Sequence, residues 1–239
     1  ACINEDEYGL AALHPLEGVA LDAGAYVGGV SVALALDNPN LRVLAVEPVT
    51  ANVELLALNV AANGLAGRIE IVKAAFGYGE DQVVRYAFEA DPEWNERGHE
   101  YAHTDAIRET IRHHGFVGTT HRDAPIDQTY REEIVPTVTL SSVASRHGVP
   151  VLVKIDCEGG EWALLDDPIV REVPLIVGEW HPWDTVHGRA GVGAFRGQHR
   201  DGGRTRDSLR ALLAPTHDVE FSGPDGGPGG FKATRRRLE

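Results

Sequence analysis

The stretch VALDAGAYVGG, residues 19–29, decides how this chain folds. Residues 19–21 are apolar and predict a buried strand, which ends at Asp22 and is followed at once by glycines. Residues 31–36 then predict a helix. A strand, a glycine-rich turn and a helix in this order are typical of the first unit of a parallel α/β sheet.

The same alternation continues along the chain. Apolar runs predict further strands, and short apolar or amphipathic segments predict the helices between them. The predicted strands cover residues 41–46, 69–72, 138–140, 151–155 and 175–177, and the predicted helices cover residues 53–61, 141–147, 161–165 and 209–213. Residues 219–222 and 231–234 flank the turn sequence PDGGPGG and predict a C-terminal antiparallel hairpin. We therefore predict a Rossmann-like α/β fold with a seven-stranded, mostly parallel sheet.

One long segment interrupts this pattern. Residues 78–136 are polar and carry many His, Glu and Arg side chains. Residues 100–114 have helical periodicity, and no run in the segment has the pattern of a strand. We interpret the segment as an inserted cap within a single domain that spans residues 1–239.

Composition excludes several classes of protein. A length of 239 residues suits one domain with an insertion, and a net charge of −14 argues against a broad nucleic-acid surface. No apolar run approaches the roughly 20 residues that a membrane helix needs. Two cysteines and the absence of a signal-peptide pattern favour the cytoplasm. Nothing in the sequence indicates an oligomeric state.

The turn after the first strand is the predicted cofactor site, because ligands of open α/β sheets bind beyond the carboxyl ends of the strands. It reads DAGAYVG over residues 22–28, and glycines let a backbone approach a ligand closely. A dinucleotide site needs Gly-x-Gly-x-x-Gly, and the bulky Tyr26 at the second glycine position disfavours a pyrophosphate. Glu47 and Pro48 end the second strand, where a carboxylate can accept hydrogen bonds from both ribose hydroxyls.

The spacing Asp22-x-Gly24-x-x-x-Gly28 resembles motif I of the class I methyltransferases. The resemblance implies that Gly24 and the neighbouring amides of Ala25 and Tyr26 face the methionine part of S-adenosylmethionine. A nicotinamide-dependent oxidoreductase is the alternative within the same fold. A non-catalytic ligand-binding module is the second alternative.

A second block extends the likeness. LVKIDCEGGEWALL at residues 152–165, followed by GEWHP at residues 178–182, resembles the K-I-D-x-E-G-x-E block of the FkbM family of methyltransferases. The similarity covers about residues 19–75 and 138–182. It implies S-adenosylmethionine as the cofactor and, usually, O-methylation of a small molecule or a sugar.

The chain departs from the class I pattern after the third strand. Many class I enzymes carry an acidic residue there for the amino group of adenine, whereas this chain reads Ala74-Ala75-Phe76. The resemblance therefore implies that backbone groups at Ala75, or the ring of Phe76, hold the adenine.

Acidic and histidine side chains follow two neighbouring strands of the predicted sheet. They are Asp156, Glu158 and Glu161 after one strand, and Glu179, His181 and Asp184 after the next. The methyl group of S-adenosylmethionine is already activated, so the protein has to align the acceptor and remove a proton. We predict that Asp156 holds the cofactor or the acceptor and that Glu158 or His181 is the base. A divalent ion on these oxygens is possible but not favoured.

A different motif lies in the insertion. Residues 99–103 read HEYAH and match H-E-x-x-H, which on a helix places two imidazoles and a glutamate as in zinc peptidases. No third ligand follows at a familiar spacing. We therefore interpret His99 and His103 as residues that line the cap or face solvent.

Overall fold

A computed structural model describes residues 6, 8–13, 15–79, 83–90, 117–121, 130–157, 160–180, 205–223 and 229–237. The helices of this part are α1 (Gly29–Asp37), α2 (Thr50–Ala62), α3 (Leu140–His147), α4 (Glu161–Leu165) and α5 (Arg206–Leu213). The strands are β1 (Gly18–Ala23), β2 (Leu41–Val46), β3 (Ile69–Val72), β4 (Ala75–Phe76), β5 (Val83–Ala90), β6 (Val117–His121), β7 (Tyr130–Val138), β8 (Leu152–Ile155), β9 (Leu175–Trp180), β10 (His217–Phe221) and β11 (Gly229–Arg235). Two 3-10 turns cover Leu10–Ala12 and Pro168–Glu172.

Seven of the strands form one sheet in the order β3-β2-β1-β8-β9-β11-β10. Strands β3, β2, β1, β8 and β9 are mutually parallel, and β11 is antiparallel to both of its neighbours. This confirms the predicted Rossmann-like fold and its C-terminal hairpin. The strand order reverses beside β1, so the switch point lies between the carboxyl ends of β1 and β8.

Helices cover both faces of this sheet. Alternate residues of each strand point to opposite sides, so one strand can contribute to the core on both faces. On one face, Leu21 of β1 and Ile155 of β8 belong to a core cluster with residues of α3, α4 and α5. On the other face, Ala20 and Leu152 of the same strands pack in a second cluster with residues of α1 and α2. Both faces are therefore apolar, as strands of a doubly covered parallel sheet require.

The interpretation of residues 78–136 as a segment without strands was wrong. Strands β5, β6 and most of β7 lie in it, and with β4 they form a separate four-stranded sheet in the order β4-β7-β5-β6. Central β5 pairs antiparallel with both β6 and β7. We missed the alternation of Val84, Tyr86 and Phe88 in β5, because we judged the segment by its overall polarity.

A second correction concerns residues 138–140, which we expected to form a strand. Strand β7 ends at Val138, and Leu140 already begins α3, whose start is capped by the side chain of Thr139. The predicted helix at residues 100–114 lies outside the described residues. Within the described part of the chain, no helix is long and apolar enough to cross a membrane.

Candidate functional site

The turn after β1 lies against the end of β2. The amides of Gly24 and Ala25 both donate to the carbonyl oxygen of Val46, each at 3.0 Å. The amide of Tyr26 donates to Oε2 of Glu47 at 2.9 Å. These three amides thus make hydrogen bonds within the protein, and their expected position beside a cofactor stays a prediction. The amides of Gly24, Ala25 and Tyr26 are therefore engaged within the protein and are not free donors to a pyrophosphate.

Two glycines of the turn stand where a side chain would collide with a neighbouring element. Gly24 has φ +75°, and a Cβ built on it would overlap the carbonyl oxygen of Asp156. Gly28 has φ +86° and precedes α1, and a Cβ there would overlap the side chain of Leu56 in α2. The glycine spacing thus lets β1 approach β8 and lets α1 approach α2.

Glu47 is buried at the end of β2 and joins two turns. Oε2 accepts from Tyr26, and Oε1 accepts from the amide of Val49 and from Nδ2 of Asn52, each at 3.0 Å. Burial raises the pKa of Glu47, although these hydrogen bonds and the charge of Lys154 act in the opposite direction. A carboxylate has about four acceptor positions, so one remains for a ligand hydroxyl.

Beneath the turn lies a buried charge cluster. Asp22 and Lys154 are buried on adjacent strands, with 3.2 Å between Oδ1 and Nζ. Oδ2 of Asp22 also accepts from Oγ of Ser31 at 2.6 Å, and Nζ of Lys154 donates to the carbonyl oxygen of Gly24 at 2.9 Å. Lys154 is therefore paired with a buried carboxylate. Asp22 therefore stabilises the turn through Lys154, whose ammonium group donates to the Gly24 carbonyl oxygen.

Burial and neighbouring charges have opposite effects on the pKa of Lys154. Burial lowers its pKa, but the charges of Asp22 and Asp156 more than offset this effect, so the pKa is raised overall. The ammonium group therefore stays protonated and keeps the two carboxylates compensated.

Asp156 follows β8 and is the acidic residue of this cluster that reaches the surface. Its side chain is 25% exposed, and its Oδ2 lies 4.0 Å from Nζ of Lys154. Oδ2 accepts a hydrogen bond from the hydroxyl of Tyr8 at 2.9 Å. We did not anticipate Tyr8 from the sequence, because no local motif links it to a residue 148 positions away.

The candidate adenine residues are more enclosed than we expected. Ala75 and Phe76 form β4 and are only 3% and 4% exposed, and Phe76 belongs to the core cluster that contains Trp162. Pro48 is partly exposed. The ring of Phe76 is thus a core side chain in this structure, and Pro48 is the partly exposed residue of this group.

The described residues after β8 and at the end of β9 are at least partly enclosed by the fold. Glu161 is buried and begins α4, while Cys157 is partly buried and Glu179 lies within β9. The proposed bases Glu158 and His181 lie outside the described residues, as does the HEYAH motif. Among the residues that the structure describes, no three His, Cys, Asp or Glu side chains are grouped to hold a metal ion.

Comparison with known protein families identifies the family to which this chain belongs. The family model described as the methyltransferase FkbM domain matches residues 22–192, which is more than half of the chain. No curated protein matches the chain.

Solved structures with a similar fold include two bacterial methyltransferases. One is the precorrin-6y C5,15-methyltransferase of Geobacter metallireducens GS-15, with 13% identity, a TM-score of 0.46, and coverage of 95% of this chain and 85% of the other. The other is a putative rRNA-methylase of Clostridium thermocellum, with 9% identity, a TM-score of 0.47, and coverage of 99% and 97%.

Proposed function

Since the chain belongs to the family of FkbM methyltransferase domains, we propose that it methylates a hydroxyl oxygen of a small molecule. Membership of this family makes it an S-adenosylmethionine-dependent methyltransferase. The acceptor class is the proposal, and it rests on the chemistry that the site offers.

The main observation is the balance of donors and acceptors at the switch point. S-adenosylmethionine carries ribose hydroxyls, an ammonium group and a sulfonium, so its site needs acceptor atoms and negative charge. The site offers the carboxylates of Glu47 and Asp156 and the carbonyl oxygen of Gly24, while the amides of Gly24, Ala25 and Tyr26 are already engaged. This set fits S-adenosylmethionine and fits the pyrophosphate of a nicotinamide dinucleotide poorly.

In this proposal, each group of the site has one task. Glu47 accepts from one ribose hydroxyl, and Asp156 with the Gly24 carbonyl binds the cationic methionine end. Asp22 and Gly28 hold the turn, and Pro48 with the backbone at Ala75 borders the adenine. The bound cofactor supplies an electrophilic methyl group.

Proton removal is assigned to the residues that follow β8 and β9. A hydroxyl acceptor is a weak acid, so a base beside it raises the rate by about 10²–10⁴. We propose that Glu158 or His181 is this base, because both follow strands that end at the same edge as Gly24. A metal ion is not part of this proposal.

The net charge supports a small acceptor. A chain with a net charge of −14 repels the phosphate backbone of a nucleic acid, on which most of the affinity of nucleic-acid-binding proteins depends. A small hydroxylated molecule carries no such penalty. The cytoplasmic location expected from the cysteine content stays a prediction.

The second sheet supports a role for the insertion as a cap. Strand β4 begins three residues after β3 ends, so the four-stranded sheet starts from the carboxyl edge of the main sheet. Gly24 and Asp156 lie at that same edge. We propose that strands β5 to β7 border the acceptor, which would exclude water from the reaction.

The test is methyl transfer from S-adenosylmethionine with a radiolabelled methyl group. The protein is incubated with three separate pools: sugars and phenols, small amines, and ribosomal or transfer RNA. We expect label in the hydroxylated pool. Label in RNA or in amines alone would overturn the proposed acceptor class while leaving the family assignment intact.

His181→Ala and Glu158→Gln then test the base in single-turnover reactions with the labelled acceptor. The residue that acts as the base should lose rate by about 10²–10⁴ when it is replaced, with affinity for S-adenosylhomocysteine changed by less than about threefold. Unchanged rates in both variants would exclude both residues as the base.

A further inference from the structure

A tyrosine that precedes the matched family region reaches into the proposed cofactor site. The hydroxyl of Tyr8 donates to Oδ2 of Asp156 at 2.9 Å, although the family model begins only at residue 22. The Tyr8 side chain is 8% exposed, so its ring is held within the protein. The contact therefore comes from a packed residue rather than from a surface side chain.

The segment that carries Tyr8 is anchored at several points. The carboxylate of Asp6 accepts from the amides of Leu10 and Ala11, which closes the 3-10 turn that follows Tyr8. The amide of Leu16 donates to Oδ1 of Asn38, the residue after α1, at 2.7 Å. Tyr8 itself packs in the core cluster on the α1 and α2 face of the sheet. These contacts give the Tyr8 hydroxyl a defined position.

Asp156 has few other partners within the described residues. Lys154 lies 4.0 Å from Oδ2, beyond hydrogen-bond distance, because its ammonium group is directed to Asp22 and the Gly24 carbonyl. In the described part of the chain, Tyr8 is thus the hydrogen-bond donor to this carboxylate side chain. No hydrogen bond to Oδ1 is made by the described residues, so we assign this atom to the ligand.

The Tyr8 ring has a separate contact. Nζ of Lys154 lies 5.4 Å from the ring centroid, within the range of a cation–π interaction. Tyr8 thus contacts both the carboxylate that reaches the surface and the lysine that holds the glycine turn. The hydroxyl and the ring can be tested independently, because phenylalanine keeps the ring and removes only the hydroxyl.

We propose that Tyr8 is a positioning residue of the S-adenosylmethionine site, which orients the Asp156 carboxylate toward the cationic methionine end of the cofactor. The proposal rests on the proposed function of Asp156. It extends the binding site to a segment outside the matched family region.

A double-mutant cycle tests whether Tyr8 acts through Asp156. Calorimetry measures the affinity of S-adenosylhomocysteine for the unmodified protein, Tyr8→Phe, Asp156→Asn and the double variant. We expect Tyr8→Phe to weaken binding about fivefold, the equivalent of one ordinary hydrogen bond. In the Asp156→Asn background the same substitution should change the affinity by less than about twofold.

A structural role of the hydroxyl would give a different result, because its effect would then be the same in both backgrounds. Tyr78→Phe is the matched control: the hydroxyl of Tyr78 donates to Oδ2 of Asp166 at 3.1 Å, a second tyrosine–aspartate bond outside the glycine turn. It should leave the affinity unchanged.

The outcomes separate the premise from the inference. No binding to the unmodified protein would overturn the proposed cofactor site itself. Binding that is insensitive to Asp156→Asn would overturn the role of Asp156 and, with it, that of Tyr8. A loss in Asp156→Asn together with an additive or absent effect of Tyr8→Phe would overturn the inference on Tyr8 alone.

Discussion

Oε2 of Glu47 accepts a hydrogen bond from the main-chain amide of Tyr26, with 2.9 Å between the two atoms. Tyr26 has φ +52°, a conformation that non-glycine residues seldom adopt. The bond therefore holds a strained turn against the end of β2. One buried carboxylate both shapes the glycine turn and faces the proposed ribose position.

Glu47→Gln should weaken binding of S-adenosylhomocysteine by about 1.5–3 kcal/mol, because an amide cannot accept all the hydrogen bonds that the carboxylate accepts. Calorimetry at neutral pH measures the change. Glu70→Gln is the control, since Glu70 is exposed and lies on the edge strand β3 beside Arg42. Equal losses in the two variants would contradict the assignment of Glu47.

The same variant tests a pH dependence. Burial raises the pKa of Glu47 above its ordinary 4.5, whereas ribose hydroxyls favour the ionised form. Binding should therefore expel a proton, and the affinity should rise as the pH is raised from 4.5 until it exceeds the raised pKa. Affinity that rises equally steeply in Glu47→Gln would assign the titration to another group.

Gly24→Ala should destabilise the fold and abolish binding of S-adenosylhomocysteine, because the new Cβ would overlap the carbonyl oxygen of Asp156. Gly64→Ala is the matched control: Gly64 has φ +67°, and nothing lies within 4 Å of a Cβ there. The control should lose about 1–2 kcal/mol from the conformation alone. Urea unfolding should show a further loss of about 1–3 kcal/mol in Gly24→Ala, and equal losses would argue against the overlap.

Lys154→Met should lower the free energy of unfolding by about 3–5 kcal/mol, because it leaves Asp22 buried without a compensating charge. The double variant Lys154→Met with Asp22→Asn should recover part of this loss. Arg42→Met removes an exposed pair with Glu70 and should cost less than about 1 kcal/mol. If the double variant is less stable than Lys154→Met, the buried charge is not the cause.

His217 should make the fold sensitive to acid. Its Nε2 lies 2.8 Å from the carbonyl oxygen of Val173, and burial lowers its pKa below the ordinary 6.5, with further lowering by Arg235 and Arg236. The unfolded chain therefore binds a proton more readily than the folded one. Stability is fully present above pH 6.5 and is lost as the pH falls from there through the lowered pKa.

Thermal unfolding between pH 5 and 8 measures this dependence. In His217→Gln the slope below pH 6.5 should flatten, although the variant is less stable at every pH. A slope that survives in His217→Gln would mean that another group titrates.

Local patterns were sufficient for much of the fold. Neighbouring residues were enough to predict the strand before Asp22, the glycine turn at Gly24 and Gly28, and the strand that ends at Glu47. Each of these elements has its own local pattern of apolar residues or glycines. The parallel sheet and the C-terminal hairpin followed from the order of these elements. Lys154 inside an apolar strand likewise required a carboxylate nearby, because an unpaired buried charge is costly.

Only the tertiary structure determined which groups of the site form hydrogen bonds with one another. The amides of Gly24 and Ala25 donate to Val46, a partner set by the alignment of β1 beside β2. Tyr8 meets Asp156 across 148 positions of sequence. Among the described residues, the strands of the insertion pair with one another and with β4, and the sequence does not show which strands become partners. Such contacts depend on which distant backbone atoms the folded sheet brings together, and this information is not contained in any local period of the sequence.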